Sequence, residues 1–262
     1  MKNAGILLIV AALFTVPTVS QAQAQEKAKE LGVSLDVTYV SKWMFNGREV
    51  WGADGGFFET INLDLWGTGF KAAVIHRSAT GSGWVNKQRL DYMLSYSGTA
   101  FDSTPYKTKF TVGYMYKNWY DKLATAGKSK DCETNILKYS LPNILGSTGL
   151  VPYGITTYTY PAHSHDGFGK HWAGWVHRFG LGYDLNVPDL PNPLHLSSDI
   201  AYNDGFWAAD HDWSYATFGI STKLKLSENM TFAPAIYHQV SMDDSVCDHD
   251  VTYCMIGMKF EF

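Results

Sequence analysis

Residues 251–262 read VTYCMIGMKFEF. Side chains along a β-strand alternate between its two faces. Thr252, Cys254, Ile256, Met258, Phe260 and Phe262 therefore share one face. Val251, Tyr253, Met255, Gly257, Lys259 and Glu261 share the other. Chain ends of soluble domains are usually frayed and polar. A terminal strand with an apolar stripe, and with Lys259 and Glu261 on its reverse side, suits a surface between lipid and water.

The same alternation runs back through the chain. Val33, Leu35, Val37 and Tyr39 alternate with Ser34, Asp36 and Thr38; Leu90, Tyr92, Leu94 and Tyr96 with Arg89, Asp91 and Ser95. Phe110, Val112, Tyr114 and Tyr116 alternate with Lys109, Thr111 and Gly113. Gly, Pro, Asn, Asp and Ser clusters separate about twelve such segments. The connections at 66–69, 98–105, 142–149, 186–193 and 227–229 are short or rich in Gly and Pro, whereas those at 46–55, 78–87, 120–134, 161–171, 203–212 and 241–250 are mostly longer and more polar. Short turns at one end and long loops at the other, with an even strand count, are the pattern of a bacterial transmembrane barrel. A β-sandwich or a lipocalin-type barrel also alternates, with its apolar face inward. Here the polar face carries Asp36, Asp64, Arg89, Asp91, Lys109, Arg178 and Lys223, which suits a watery lumen, and aromatic residues cluster near strand ends like membrane girdles.

Composition agrees. The 262 residues are 45% hydrophobic and 15% aromatic, and only 18% are charged, with net charge −4. That balance argues against a nucleic-acid partner. Lys2, the apolar run Ala4–Val16 and the Ala22-Gln23-Ala24 site read as a secretory signal cleaved after Ala24. The predicted fold is all-β: an antiparallel up-and-down transmembrane β-barrel of about twelve strands over residues 25–262, preceded by a signal peptide at 1–24.

The terminal strand ending in Phe260-Glu261-Phe262 resembles the C-terminal signature of bacterial outer-membrane proteins, which implies delivery by the barrel-assembly machinery. The stretch LDVTYVSKWMFNGREV is similar to the first strand of the TorF-type porin family, with Ser41, Trp43, Phe45 and Gly47 at the matching spacing. Asn46 stands where that family has Arg, and Arg48 follows just beyond. Thr157–Pro161, TYTYP, looks like the family's Tyr-x-Tyr-Pro. The resemblance implies an outer-membrane barrel and says little about substrate.

Lys42, Arg77, Arg89, Asp91, Lys109 and Arg178 are the expected pore-lining residues. The inward set is more basic than acidic, and cationic walls concentrate anions. The expected function is a narrow porin-like channel for passive passage of small solutes with a mild anion preference, needing no cofactor and no enzyme activity. The alternatives are a barrel with a structural, adhesive or ligand-binding role, a soluble secreted all-β binding domain, and an outer-membrane hydrolase. For the last, His211 between Asp210 and Asp212 is the nearest thing to a catalytic cluster, and neither G-x-S-x-G nor H-E-x-x-H occurs. His163 and His165 in PAHSHDGFGKH, and the loop SMDDSVCDHD, offer metal-ligand types without a fixed spacing, so the expectation is of polar outside loops and no metal. Cys132 and Cys247 both fall in expected loops and could pair in an exported protein. Cys254 reads as a small apolar residue.

Deleting Phe262 is expected to leave synthesis intact and to reduce the heat-modifiable, membrane-assembled species on gels; assembly at the wild-type level would count against the reading of this terminus.

Overall fold

The computed structural model describes residues 30–52, 54–81, 88–119, 131–162, 172–188 and 190–262. The expected signal peptide at 1–24 lies outside them. The strands are β1 (Gly32–Val40), β2 (Met44–Phe45), β3 (Arg48–Glu49), β4 (Gly56–Asp64), β5 (Phe70–Ala79), β6 (Gln88–Ala100), β7 (Thr108–Asn118), β8 (Cys132–Ser140), β9 (Leu150–Pro161), β10 (Gly174–Leu185), β11 (Leu194–Asp204), β12 (His211–Ser221), β13 (Leu224–Ser227), β14 (Met230–Ser241) and β15 (Val251–Glu261). β2 and β3 form a small hairpin of their own, and β13 is a short flap on β14. The other twelve strands form an antiparallel ring. It closes because β1 pairs with β4 on one side and β15 on the other, while β12 pairs with β14. The terminal strand closes the ring against the first, with Asp36 opposite Lys259, Val37 opposite Met258 and Tyr39 opposite Ile256.

Directly opposed residues share a face, so the register sorts the wall. Val37, Ile61, Val74, Leu94, Phe179, Phe218, Ile236 and Ile256 point outward. Ile61, Leu94 and Phe218 are each 52% exposed. A soluble protein rarely leaves so wide an apolar band uncovered. A closed ring with every wall strand paired on both sides can present such a band to lipid, because no backbone edge is left without partners. A strand of ten residues tilted by about 40° rises about 25 Å, the height of a barrel's apolar belt. Phe70, Tyr96 and Phe110 pack in a row near one rim, and Tyr39–Phe57, Tyr158–Trp175 and Tyr202–Trp213 near the other.

The rim where β1 begins and β15 finishes carries the short turns; the opposite rim carries the longer loops. Two departures from expectation stand at the loop rim. β8 begins at Cys132, inside the stretch 120–134 expected to be loop. More consequential is the first loop, whose residues 46–55 were expected outside. The chain leaves β1 at Val40, turns inward and builds the β2–β3 hairpin inside the barrel, with Phe45 opposite Arg48 and Met44 opposite Glu49. Asn46 and Gly47 form its tip, both at positive φ, 48° and 86°. Asn-Gly is the sequence most suited to a two-residue turn of that hand. At the tip, the Gly47 carbonyl accepts a hydrogen bond from Gln239 Nε2 at 2.8 Å, and a Cβ on Gly47 would overlap the Tyr215 ring. The hairpin therefore reaches the β12–β14 wall.

Around it the outer half of the lumen is packed. Trp43, Trp51, Trp119, Val40 and Ala79 form one buried cluster; Val176, Ala201, Phe206, Ala209, Tyr215 and Val246 form another; Phe45 packs against both. Gly47→Ala is expected to destabilise the barrel by more than the roughly 1–2 kcal/mol of a left-handed backbone alone, read from the denaturant midpoint in detergent. Gly52→Ala, also at positive φ but with nothing within 4 Å of its Cβ, is expected to cost only that backbone part.

Candidate functional site in the lumen

Arg77 on β5 and Arg89 on β6 face each other directly across the ladder. Like charges so placed repel. Asp91, two residues further along β6 and fully buried, lies between them: Arg77 Nε is 2.8 Å from its Oδ2 and Arg89 Nε 2.6 Å from its Oδ1. Lys117 of β7, opposite Asp91, is buried and donates through Nζ to Thr134 Oγ1 at 2.7 Å, which in turn lies 2.8 Å from Thr159 Oγ1. Three cations thus lie in one layer around a single carboxylate, which pairs with the two arginines, while Lys117 is bonded to Thr134. The rest of their stabilisation comes from the aromatic rings of the inserted segment and its neighbours. The Arg89 guanidinium lies 4.5 Å from the Trp43 ring centroid and 5.2 Å from that of Trp119. Arg77 lies 4.3 Å from Phe58, and Lys117 Nζ 4.3 Å from Phe45. Cation–π contacts of this kind are worth about 0.5–2 kcal/mol each, more when desolvated. The hairpin is clasped at its base by the cations of the β5–β7 wall and at its tip by Gln239.

Towards the turn rim the lumen opens. A cavity of about 490 Å³ is lined by Ser97, Thr99, Lys109, Thr111, Lys138, Ser140 and Tyr153 among others. Lys109 and Lys138 are exposed there and, among the described residues, have no ion-pair partner. Further along the same wall, Arg178 binds Asp199 through both Nε at 3.0 Å and Nη2 at 2.6 Å, and Tyr153 Oη donates to the same carboxylate at 3.0 Å. Beside the hairpin, on the loop side, a second cavity of about 140 Å³ is lined by Phe45, Arg89, Trp119, Thr159, Tyr160 and Phe206 among others. The lumen thus has two open chambers on either side of the hairpin layer.

Of the six residues expected to line a pore, Arg77, Arg89, Asp91, Lys109 and Arg178 lie on the inward face. Arg77, Arg89 and Asp91 form one cluster, and Lys109 and Arg178 stand apart from it, nearer the turn rim. Lys42 is off the wall: it belongs to the inserted segment and pairs with Glu49 at 3.2 Å. Sequence reasoning did not give Lys117 and Lys138 their prominence, nor Trp43 and Phe45 their place beside the cations. The Asn-Gly pair between short alternating runs was the available signal for the hairpin. Phe260 faces outward opposite Leu35, and Phe262 N donates to the Val33 carbonyl at 3.0 Å.

The expected Cys132–Cys247 bridge is not formed, and all three cysteines are free thiols. Cys132 is held in β8 opposite Lys117 and Pro161, on the inward face, while Cys247 sits in the β14–β15 loop. A strand residue pinned in the wall is not free to move towards a loop. His163 and His165 lie outside the described residues. His211 is held by Asp204 at 2.5 Å rather than by Asp210 or Asp212, and among the described residues its imidazole hydrogen-bonds no hydroxyl or thiol. In the β14–β15 loop, His249 Nδ1 lies 2.6 Å from Asp248 and Nε2 3.5 Å from Glu49 of the hairpin. The hydrogen bond from His249 holds the exposed Asp248 carboxyl below its ordinary range and raises the His249 imidazole above its own.

No family's sequence model matches the chain, and no curated protein sequence does either. A solved structure does share its fold, and others superpose less closely. The NanC porin superposes with a TM-score of 0.52 at 11% identity, covering 87% of this chain and 100% of that one. LpxR from Salmonella typhimurium gives 0.47 at 11% identity, with 87% and 100% covered. Outer membrane phospholipase A from Escherichia coli gives 0.44 at 10%, with 92% and 94% covered. At such identities the likeness is one of fold.

Asp91→Asn removes the one carboxylate that Arg77 and Arg89 share. Breaking a buried pair by deleting one partner costs about 3–5 kcal/mol, and this variant is expected to lose stability on that scale in denaturant titrations. Asp102→Asn, at an exposed carboxylate paired with Lys107 in the β6–β7 connection, is expected to change little.

Proposed function

We propose that this chain is an outer-membrane channel for small anionic solutes, narrowed by its own inward hairpin and carrying out no chemistry on what it passes. The observation that carries the reading is the unneutralised charge on one side of the lumen. Lys109 and Lys138 stand exposed in the chamber at the turn rim, without an ion-pair partner among the described residues. Above them Arg77 and Arg89 pair with the single carboxylate of Asp91, and Lys117 stands opposite it in the ladder. An anion entering from either chamber meets net positive potential in a low-dielectric bore, where field lines are focused. Serine and threonine hydroxyls along the same wall, Ser97, Thr99, Thr111 and Ser140, offer hydrogen bonds that replace part of a solute's hydration.

Placement in the outer membrane is supported by the closed ring, its exposed apolar band and its likeness to the NanC porin. On this reading the bilayer and the barrel-assembly machinery are its standing partners, and small solutes its passing ones. The short-turn rim faces the periplasm and the loop rim the exterior, the usual arrangement.

In planar bilayers under a KCl gradient, the refolded protein is expected to show small steps with a reversal potential on the anion side. Lys109→Glu with Lys138→Glu is expected to move that potential towards cations, and Trp43→Ala with Phe45→Ala, which loosens the hairpin, to enlarge the steps. A cation-selective wild type, or a barrel that stays silent even with the hairpin loosened, would overturn the proposal.

A further inference from the structure

The loop rim holds a cluster that the channel reading does not use. Cys247, Asp248 and His249 follow one another in the β14–β15 loop, and their ligand atoms lie within 4.8 Å of one another. Consecutive residues in an extended segment point apart; here the turn after β14 gathers them. Cys247 N donates to the Asp243 carbonyl at 3.1 Å, and the Ser241 hydroxyl donates to the Cys247 carbonyl. Asp243 in turn accepts from Ser245 N at 2.7 Å, so the backbone that presents the three side chains is tied down. The thiol is buried and free, whereas Asp248 and His249 are exposed, and the space beside them is a cavity of about 760 Å³ that also touches Glu49 and Lys42.

A separate observation comes from the hairpin. His249 is caught between two carboxylates, Asp248 at Nδ1 and Glu49 at Nε2, and Glu49 is itself fixed by Lys42. A ligating histidine characteristically donates its second ring N–H to a carboxylate, which fixes its tautomer and orientation. We propose that Cys247 Sγ, the Asp248 carboxylate and His249 Nδ1 form a binding site for a borderline-soft divalent transition metal of the zinc type, with Glu49 orienting His249 from the hairpin. One sulfur, one nitrogen and one oxygen suit Zn²⁺ or Co²⁺ and not Ca²⁺ or Mg²⁺, which take oxygen ligands. Three protein ligands leave a fourth, tetrahedral position towards the cavity, where water completes the sphere. Binding displaces to solvent both the thiol proton and the Nδ1 proton shared with Asp248, leaves the Nε2 proton facing Glu49, and does not change the metal's oxidation state.

Co²⁺ reports such a site directly, because a thiolate bound to it gives charge-transfer absorption. Titrating the folded, detergent-solubilised full chain with CoCl₂ under reducing conditions is expected to raise that band to one equivalent and to lose it on adding Zn²⁺. Cys132→Ser with Cys254→Ser is expected to retain the band, and Cys247→Ser to abolish it while heat-modifiable migration shows the barrel intact. Glu49→Gln is expected to weaken Zn²⁺ competition about 10–100-fold, the effect of losing an orienting partner. Absence of the band in the wild type, its survival in Cys247→Ser, or an unchanged affinity in Glu49→Gln would each overturn the assignment as written.

Discussion

The buried ion cluster of Arg77, Arg89 and Asp91 is the constraint on which the lumen depends. Two guanidinium groups opposed across a ladder cannot stay buried without an anion between them, and one carboxylate leaves positive charge over. That remainder is met by π-faces, and the rings of Trp43 and Phe45 reach the cations because the first loop folds inward. Charge on the wall and the path of the loop are two sides of one arrangement: the hairpin needs the cations as a seat, and the cations need the hairpin to exclude water without leaving them bare.

This arrangement divides the barrel by function. The outward face carries an apolar band, with polar residues such as Glu59, His76 and Glu133 towards the loop rim. The outer half of the lumen is built like the core of a soluble protein, with tryptophans edge-to-face at 4.6 Å between Trp43 and Trp51. The half nearer the turn rim stays open and polar, with Lys109 and Lys138 beside the Arg178–Asp199–Tyr153 group on the β7–β11 wall. A solute path through such a barrel is set by side chains along the hairpin and not by the barrel's circumference. Strand number alone therefore says little about what crosses it.

How far the sequence could be read depended on the period of the signal. The wall strands alternate because one face meets lipid and the other does not, and that contrast recurs every second residue. Hence the faces of β1 and β15 were legible in the sequence, whereas their register, with Asp36 opposite Lys259, is seen only in the structure. The first loop carries no such contrast. Trp43, Phe45 and Trp51 look like an aromatic rim when the residues that receive them, Arg89 and Trp119, are dozens of positions away. Lys42 was misplaced for the same reason, and so was Cys132: the polar run before it resembles loop, yet β7 and β9 already supply partners that draw it into the wall.

By itself, the sequence determined that this is a closed antiparallel barrel with an apolar exterior, because two-residue alternation and turn chemistry are local and repeat along the whole chain. Only the tertiary structure decided what the barrel contains. The inward hairpin, the three cations around one carboxylate, and the gathering of Cys247, Asp248 and His249 beside Glu49 all join residues far apart in the chain. Their energies come from desolvation and long-range contact, which exist only once the ring has closed.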